Sequence, residues 1–145
     1  MTTWVSQLLL PWQTLALKKD LQWESQIPVD LPTLLIDPGR MAQAVENLLN
    51  NAIKYTPAGG RVAVAAGVES EQVYIKIRDT GAGIPAAEQE LVFTPFYRGQ
   101  SNRRFSQGLG LGLSIASDLI HAQRGRLVVQ SNADQGTVFT VWLPV

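Results

Sequence analysis

Cysteine is absent from the 145 residues, which removes thiolate metal sites, thiol nucleophiles and disulfides and fits a reducing compartment. An excess of one charge is also lacking. Twelve basic residues offset twelve acidic ones, so the balance points to neither nucleic acid nor a membrane surface. Long apolar runs are missing too: LLLPW, near the start, is too short to span a bilayer or to form a signal-peptide core. Histidine occurs once, at His121. What is present, 46% apolar content, is enough for one domain over residues 1–145 with a proper core. The chain reads as a cytoplasmic domain, and its abrupt helical opening reads as that of a piece cut from a longer protein.

The stretch from Asp37 to Pro57, DPGRMAQAVENLLNNAIKYTP, organises the rest. Asp37 suits an N-cap, Pro38 the first helical position, and Pro57 blocks continuation past the last turn, so a single helix of about five turns is predicted. Met41, Val45, Leu48, Leu49 and Ala52 recur at helical spacing and should face a core. Asn47, Asn51 and Lys54 share a different face. Asparagine is a mediocre helix former because its amide competes with the backbone for hydrogen bonds. Two carboxamides stacked above an ammonium therefore need a reason, and a bound anion with its metal is one.

Around this helix the remaining elements can be read from local pattern. Thr2 or Thr3 can cap a first helix with apolar positions at Val5, Leu8, Leu9, Trp12 and Leu15, which Pro11 should kink or end early. LQWESQIPVDL reads as a strand with a proline-rich exit, and the apolar piece TLLI leads into the organising helix. RVAVAAGV and QVYIKIRD, parted by a polar turn at Glu69 to Glu71, read as an antiparallel hairpin. Val73, Ile75 and Ile77 share one parity and Asp79 continues it, which puts a carboxylate on the core-facing side at a strand end.

A buried carboxylate is costly unless satisfied. Asp79 is followed by Thr80-Gly81-Ala82-Gly83-Ile84-Pro85, whose glycines allow a sharp turn and the close approach of a flat ligand. Alone, the segment reads equally as an ordinary turn. Next, PAAEQELVFTPFYRG gives a short helix, an aromatic cluster of Phe93, Phe96 and Tyr97, and Arg98. The polar run Gly99 to Gln107 reads as a mobile lid. It closes on Gly108-Leu109-Gly110-Leu111-Gly112-Leu113, from which Ser114 to Ala122 continues as an amphipathic helix. Alternating glycines at a helix start present backbone N–H groups and the positive end of the helix dipole to phosphate. The block lacks the strand context of a Rossmann turn and the Lys-Ser/Thr of a P-loop. GRLVVQSN and GTVFTVWLP close the chain as a hairpin joined around Ala133 to Gln135.

Four blocks in this order resemble the ATP-binding catalytic domain of bacterial sensor histidine kinases, within the wider gyrase, Hsp90, histidine kinase and MutL superfamily. ENLLNNAIKYTP resembles the family's N box, DTGAGIP its first glycine box, VFTPFYRG its F box and GLGLGLSIA its second glycine box. The resemblance covers nearly the whole chain. It implies an α+β fold of the Bergerat type, a two-layer α/β sandwich whose mixed, mainly antiparallel sheet packs on about three helices. ATP would lie between the helical layer and the lid.

Carried over by residue, the resemblance makes Asn51 the side-chain ligand of Mg²⁺, a hard cation that accepts amide oxygen. Asn47 and Lys54 would contact phosphates, and Tyr55 would lie near the ribose or phosphate tail. Asp79 would accept a hydrogen bond from the adenine amino group, while Gly81, Gly83 and Ile84 shape the purine pocket. Arg98 would reach the terminal phosphate, with Asn47 and Lys54 as the other candidate catalytic groups. Gly108, Leu109, Gly110, Leu111, Gly112 and Leu113 would wrap the phosphates from the lid side. Thr137 resembles the threonine of the last block, although Asp134-Gln135-Gly136-Thr137 stands where Gly-x-Gly-Thr is usual.

ATP-hydrolysing members of the superfamily carry a Glu four residues before the metal-binding Asn; here that place holds Asn47. Glu46 lies roughly 140° around the helix from Asn51, so it is a poor substitute. An amide is no general base, so water attack should be slow and the γ-phosphoryl preserved for another acceptor. His121 reads as an ordinary, partly exposed helix residue. The implied acceptor histidine lies on a helical hairpin dimerisation domain N-terminal to residue 1, and a response regulator receiver domain would be the further partner. The resulting expectation is the protein-histidine kinase module of a two-component system. It would be monomeric by itself, with no nucleic-acid partner and no membrane contact of its own. The alternatives are a superfamily ATPase or anti-sigma-type serine kinase, and a non-catalytic nucleotide-binding module. Trp4 and Trp12 read as core or interface, and Arg103 and Arg104 as a solvated loop.

Overall fold

The computed structural model describes residues 1–94, 112–132 and 135–145. In chain order these form α1 (Thr2–Lys18), β1 (Gln22–Gln26), α2 (Pro38–Tyr55), β2 (Arg61–Glu69), β3 (Gln72–Asp79), a 3-10 turn (Ala86–Glu88), α3 (Gly112–Ala122), β4 (Arg126–Asn132) and β5 (Gly136–Pro144). The strands make one sheet in the order β1-β2-β3-β5-β4. Within it β1 and β2 run parallel, whereas β2–β3, β3–β5 and β4–β5 are antiparallel. The sheet and helices share one continuous apolar core, which gives the two-layer α/β sandwich expected.

Alternation assigns the faces. In β3 the side chains of Val73, Ile75, Ile77 and Asp79 are buried, opposite Leu143, Val141, Phe139 and Thr137 of β5. The core-facing parity read for Asp79 therefore holds, with the residue only 1% exposed. Ser70 and Glu71 both have positive φ (50° and 61°), which is what a two-residue reversal between right-twisted strands demands. In α2, Met41, Val45, Leu48, Leu49 and Ala52 are all buried, and the Asp37 side chain accepts the Arg40 N–H as the predicted cap. Trp4 and Trp12 are half-buried against the core, in line with the core reading.

Several local expectations fail for identifiable reasons. Of the two outcomes read for Pro11, a kink or an early end, the early end does not occur: α1 runs to Lys18. Proline withdraws a hydrogen bond from the carbonyl of Gln7, but both residues lie on the exposed face, where water can satisfy that oxygen. Leu15 points outward, at 46% exposed, and Ala16 takes the core position. Neither threonine caps α1. Met1 is the N-cap, and the Thr2 hydroxyl instead donates to the Pro28 carbonyl and accepts from Leu31 N–H, tying the loop after β1 to the helix. The short helix expected after Pro85 shrinks to the 3-10 turn Ala86–Glu88, from which Phe93 reaches an edge contact with Phe139. Phe96, Tyr97, the lid with Arg103 and Arg104, and the loop residues Ala133 and Asp134 lie outside the described residues.

The C-terminal end of α2 is closed by side chains rather than by glycine. Thr56 Oγ1 donates to the Ala52 carbonyl at 2.6 Å, while Lys19 Nζ, arriving from the end of α1, donates to the carbonyls of Ile53 at 2.7 Å and Lys54 at 2.9 Å. An ammonium at this end also complements the helix dipole. Partial burial lowers the pKa of Lys19 from its ordinary value. Lys19→Met, which keeps the stem and removes the donors, is expected to cost about 1 kcal/mol of stability. Thermal unfolding should show a midpoint about 3–5 °C lower; an unchanged midpoint would mean the cap contributes nothing.

Candidate functional site

Four chain segments meet at one end of the sheet. The last turn of α2 abuts the loop after β3 so closely that a Cβ on Gly81 would stand 2.8 Å from the Tyr55 carbonyl oxygen and 3.0 Å from Asp79 Oδ1. Glycine is required there by the approach itself. The amide of Gly81 donates to Asp79 Oδ1 at 2.9 Å, which anchors the carboxylate inside the fold. Across the sheet Asp79 pairs with Thr137, buried to the same degree. Gly136, before it, has φ +91°, and a Cβ there would sit 2.0 Å from the Asp79 carbonyl oxygen, so glycine is again obligatory. The departure from Gly-x-Gly-Thr thus leaves the glycine next to the threonine in place.

The polar face of α2 is partly engaged. Asn47 Nδ2 donates to the carbonyl of Gly112, the first residue of α3, at 3.3 Å. Lys54 is exposed, with its Nζ 5.5 Å from the centre of the Tyr55 ring. One helical turn before Tyr55, Asn51 Nδ2 is buried and has no hydrogen-bond partner among the described residues. A buried amide left unmatched costs free energy, so this is where an absent ligand would be expected to act. Turning the amide about its Cβ–Cγ bond brings Oδ1 to the same place, which fits a hard cation. Among the described residues no group of three or more His, Cys, Asp or Glu could hold a metal.

Two residues that sequence reasoning missed hold the loop after β3. Ser131 Oγ accepts from Ile84 N–H at 2.7 Å, donates to the Gly136 carbonyl at 2.8 Å and lies 3.1 Å from Thr137 Oγ1. Gln89 Nε2 donates to the carbonyls of Ile84 at 3.0 Å and Ser131 at 2.8 Å. Ile84 itself is fully buried, and Gly83 before it has φ +77°. The available signal was parity: Leu127, Val129 and Ser131 alternate onto one face of β4, which puts a hydroxyl where an apolar residue is expected. A cleft of about 550 Å³ opens at this sheet end, lined by Asp79, Gln89, Ser131, Gly136 and Thr137 among others.

The structure therefore brings together Tyr55, Gly81, Asp79, Ile84 and Thr137, and joins Asn47 to Gly112. Asn47, Asn51 and Lys54 do not line the cleft. The side chain of Leu113 is buried in the core. Arg98 and Gly108, Leu109, Gly110 and Leu111 fall outside the described residues. His121 is exposed, and its Nδ1 lies 2.8 Å from the carbonyl of Ser117 in its own helix, an ordinary helix position. Among the described residues no helix is long and apolar enough to cross a membrane.

Comparison with known proteins agrees with this geometry. Adaptive-response sensory kinase SasA of Synechococcus sp. (strain JA-3-3Ab) is 43% identical over 128 residues, covering 88% of this chain and 34% of that protein. The chain thus spans about a third of the length of the curated relatives it matches. Among solved structures, mycobacterial sensor histidine kinase MprB superposes with a TM-score of 0.79 at 28% identity, covering 97% of this chain and 95% of that one. Full-length ShkA in complex with AMPPNP gives 0.85 at 29% identity, covering 99% and 29%. Residues 36–145, from just before the α2 cap to the last strand, match the model of one family, and so the chain belongs to the histidine kinase-, DNA gyrase B- and HSP90-like ATPases.

Proposed function

We propose that this domain binds Mg-ATP between the last turns of α2 and the end of β3, and passes the γ-phosphoryl group to a histidine on a separate helical hairpin domain. It would be the catalytic part of a cytoplasmic two-component sensor histidine kinase, with a response regulator receiver domain as the next acceptor. The observation that carries this reading is the buried amide nitrogen of Asn51, without a hydrogen-bond partner among the described residues, one turn from the helix end that abuts Gly81 beside Asp79. Asp79 would accept from the adenine amino group, with Gly81, Gly83, Ile84 and Thr137 shaping the pocket. Asn47, Lys54 and Tyr55 would meet the phosphate tail, and Arg98 with Gly108 to Leu113 would close over it. Asn51 would hold Mg²⁺, which supplies charge neutralisation across the phosphate oxygens. In the transfer, an imidazole nitrogen forms the N–P bond while the bond from the γ phosphorus to the bridging oxygen breaks and its electrons leave with ADP.

A hydrolase reading needs a general base near the γ-phosphate. Asn47, placed where ATP-hydrolysing relatives keep a Glu, offers an amide already bonded to the Gly112 carbonyl. Labelled ATP mixed with this chain and a histidine-bearing hairpin from the same protein should yield an acid-labile, base-stable phosphoprotein. Steady ATP turnover by the chain alone, lost in Asn47→Ala, would replace the kinase reading with a hydrolase one.

A further inference from the structure

Thr137 and Asp79 are paired across β5 and β3, yet the polarity of the threonine hydroxyl is decided elsewhere. Ser131 Oγ has one hydrogen. Its partner at 2.8 Å, the Gly136 carbonyl, can only accept, so that hydrogen is committed there. Ile84 N–H occupies one lone pair of the same oxygen at 2.7 Å. The remaining contact, 3.1 Å to Thr137 Oγ1, must then be supplied by the threonine's hydrogen. With its proton spent on Ser131, Thr137 can offer only lone pairs to a ligand. Gln89 completes the arrangement, because its Nε2 bridges the carbonyls of Ile84 and Ser131 and fixes the spacing between loop and hairpin.

From this we infer that Ser131 and Gln89 are positioning residues which make Thr137 an acceptor beside the Asp79 carboxylate, so that the site selects a 6-amino purine over a 6-oxo purine. Two adjacent acceptors match an exocyclic amino group and repel a carbonyl, and buried hydrogen-bonding mismatches discriminate more strongly than shape does. The inference rests on the nucleotide reading above, and acts at the base end of the ligand only.

ADP and IDP differ only along one edge of the purine, where ADP has an amino group beside an N1 lone pair and IDP a carbonyl beside an N1–H, and titrating both in EDTA leaves the metal out of the comparison. Ser131→Ala frees the threonine hydrogen to point at the ligand; it should weaken ADP and narrow the ADP to IDP preference about tenfold. Ser131→Thr, which keeps the hydroxyl, should restore the preference. Gln89→Met, of similar shape but without donors, should narrow it less. Thr137→Val should narrow it as Ser131→Ala does, and it answers the question even if Ser131→Ala fails to fold. A general loss of stability would weaken both nucleotides equally. An unchanged preference in Thr137→Val, or equal losses for ADP and IDP in Ser131→Ala, overturns the inference while leaving the site intact, provided Asp79→Asn still weakens ADP. Unchanged ADP affinity in Asp79→Asn would instead overturn the site itself.

Discussion

Replacing Asn51 with alanine is expected to remove the magnesium-dependent part of ATP binding while making the domain more stable. Both effects come from one amide. Alanine is the best helix former and asparagine a poor one, and deleting a buried Nδ2 with no partner among the described residues removes a desolvation cost, together about 1 kcal/mol in favour of the fold. Function should move the other way. Changes to groups that merely support a metal ligand typically cost 10–100-fold, so deleting the ligand itself should cost about 100-fold or more in affinity for Mg-ATP. Titration with ATP in magnesium and in EDTA measures this directly. The variant should bind equally weakly in both, with a raised unfolding midpoint. A magnesium enhancement that survives intact would move the metal off α2.

The second large effect belongs to Asp79→Asn. The amide oxygen can still accept the Gly81 N–H bonded to Oδ1 in the native protein, so the loop should keep its course. The other carboxylate oxygen becomes an NH₂ group, a donor aimed at the donor expected on adenine. A buried mismatch replacing a charge-assisted bond costs about 3 kcal/mol, or about 100-fold in ADP affinity. The residue is only 1% exposed, so water has little room to soften the mismatch. Calorimetric titration with ADP should show the loss with or without magnesium, unlike that of Asn51→Ala. If ADP affinity falls only when magnesium is present, the carboxylate is acting on the metal and the purine assignment is wrong.

How much of this was legible in the sequence differs by element. α2 was readable from end to end because its signals are local: a capping aspartate, a proline at the first position, a proline beyond the last turn, and apolar residues at one spacing. The site residues were within reach because parity and helical phase project Asp79 and the two asparagines without knowledge of distant contacts. Pro11 misled because its cost depends on whether Gln7 meets solvent, which the tertiary fold decides. Lys19, Gln89 and Ser131 were invisible for the same reason: their partners lie 34, 42 and 47 residues away in sequence. Arg98 and Gly108 to Leu111 were named through the family resemblance and stand as proposals.

The pairing of β3 with β5 has one more consequence. Residues 61–79 and 126–144 each form a hairpin from neighbouring sequence, and within the sheet the two are joined along that line, where Asp79 stands opposite Thr137. Whatever nestles against both residues grips two distant stretches of the polypeptide at once. Occupancy and cohesion are then one equilibrium, so saturating nucleotide should raise the melting temperature by an amount set by its own concentration relative to its dissociation constant.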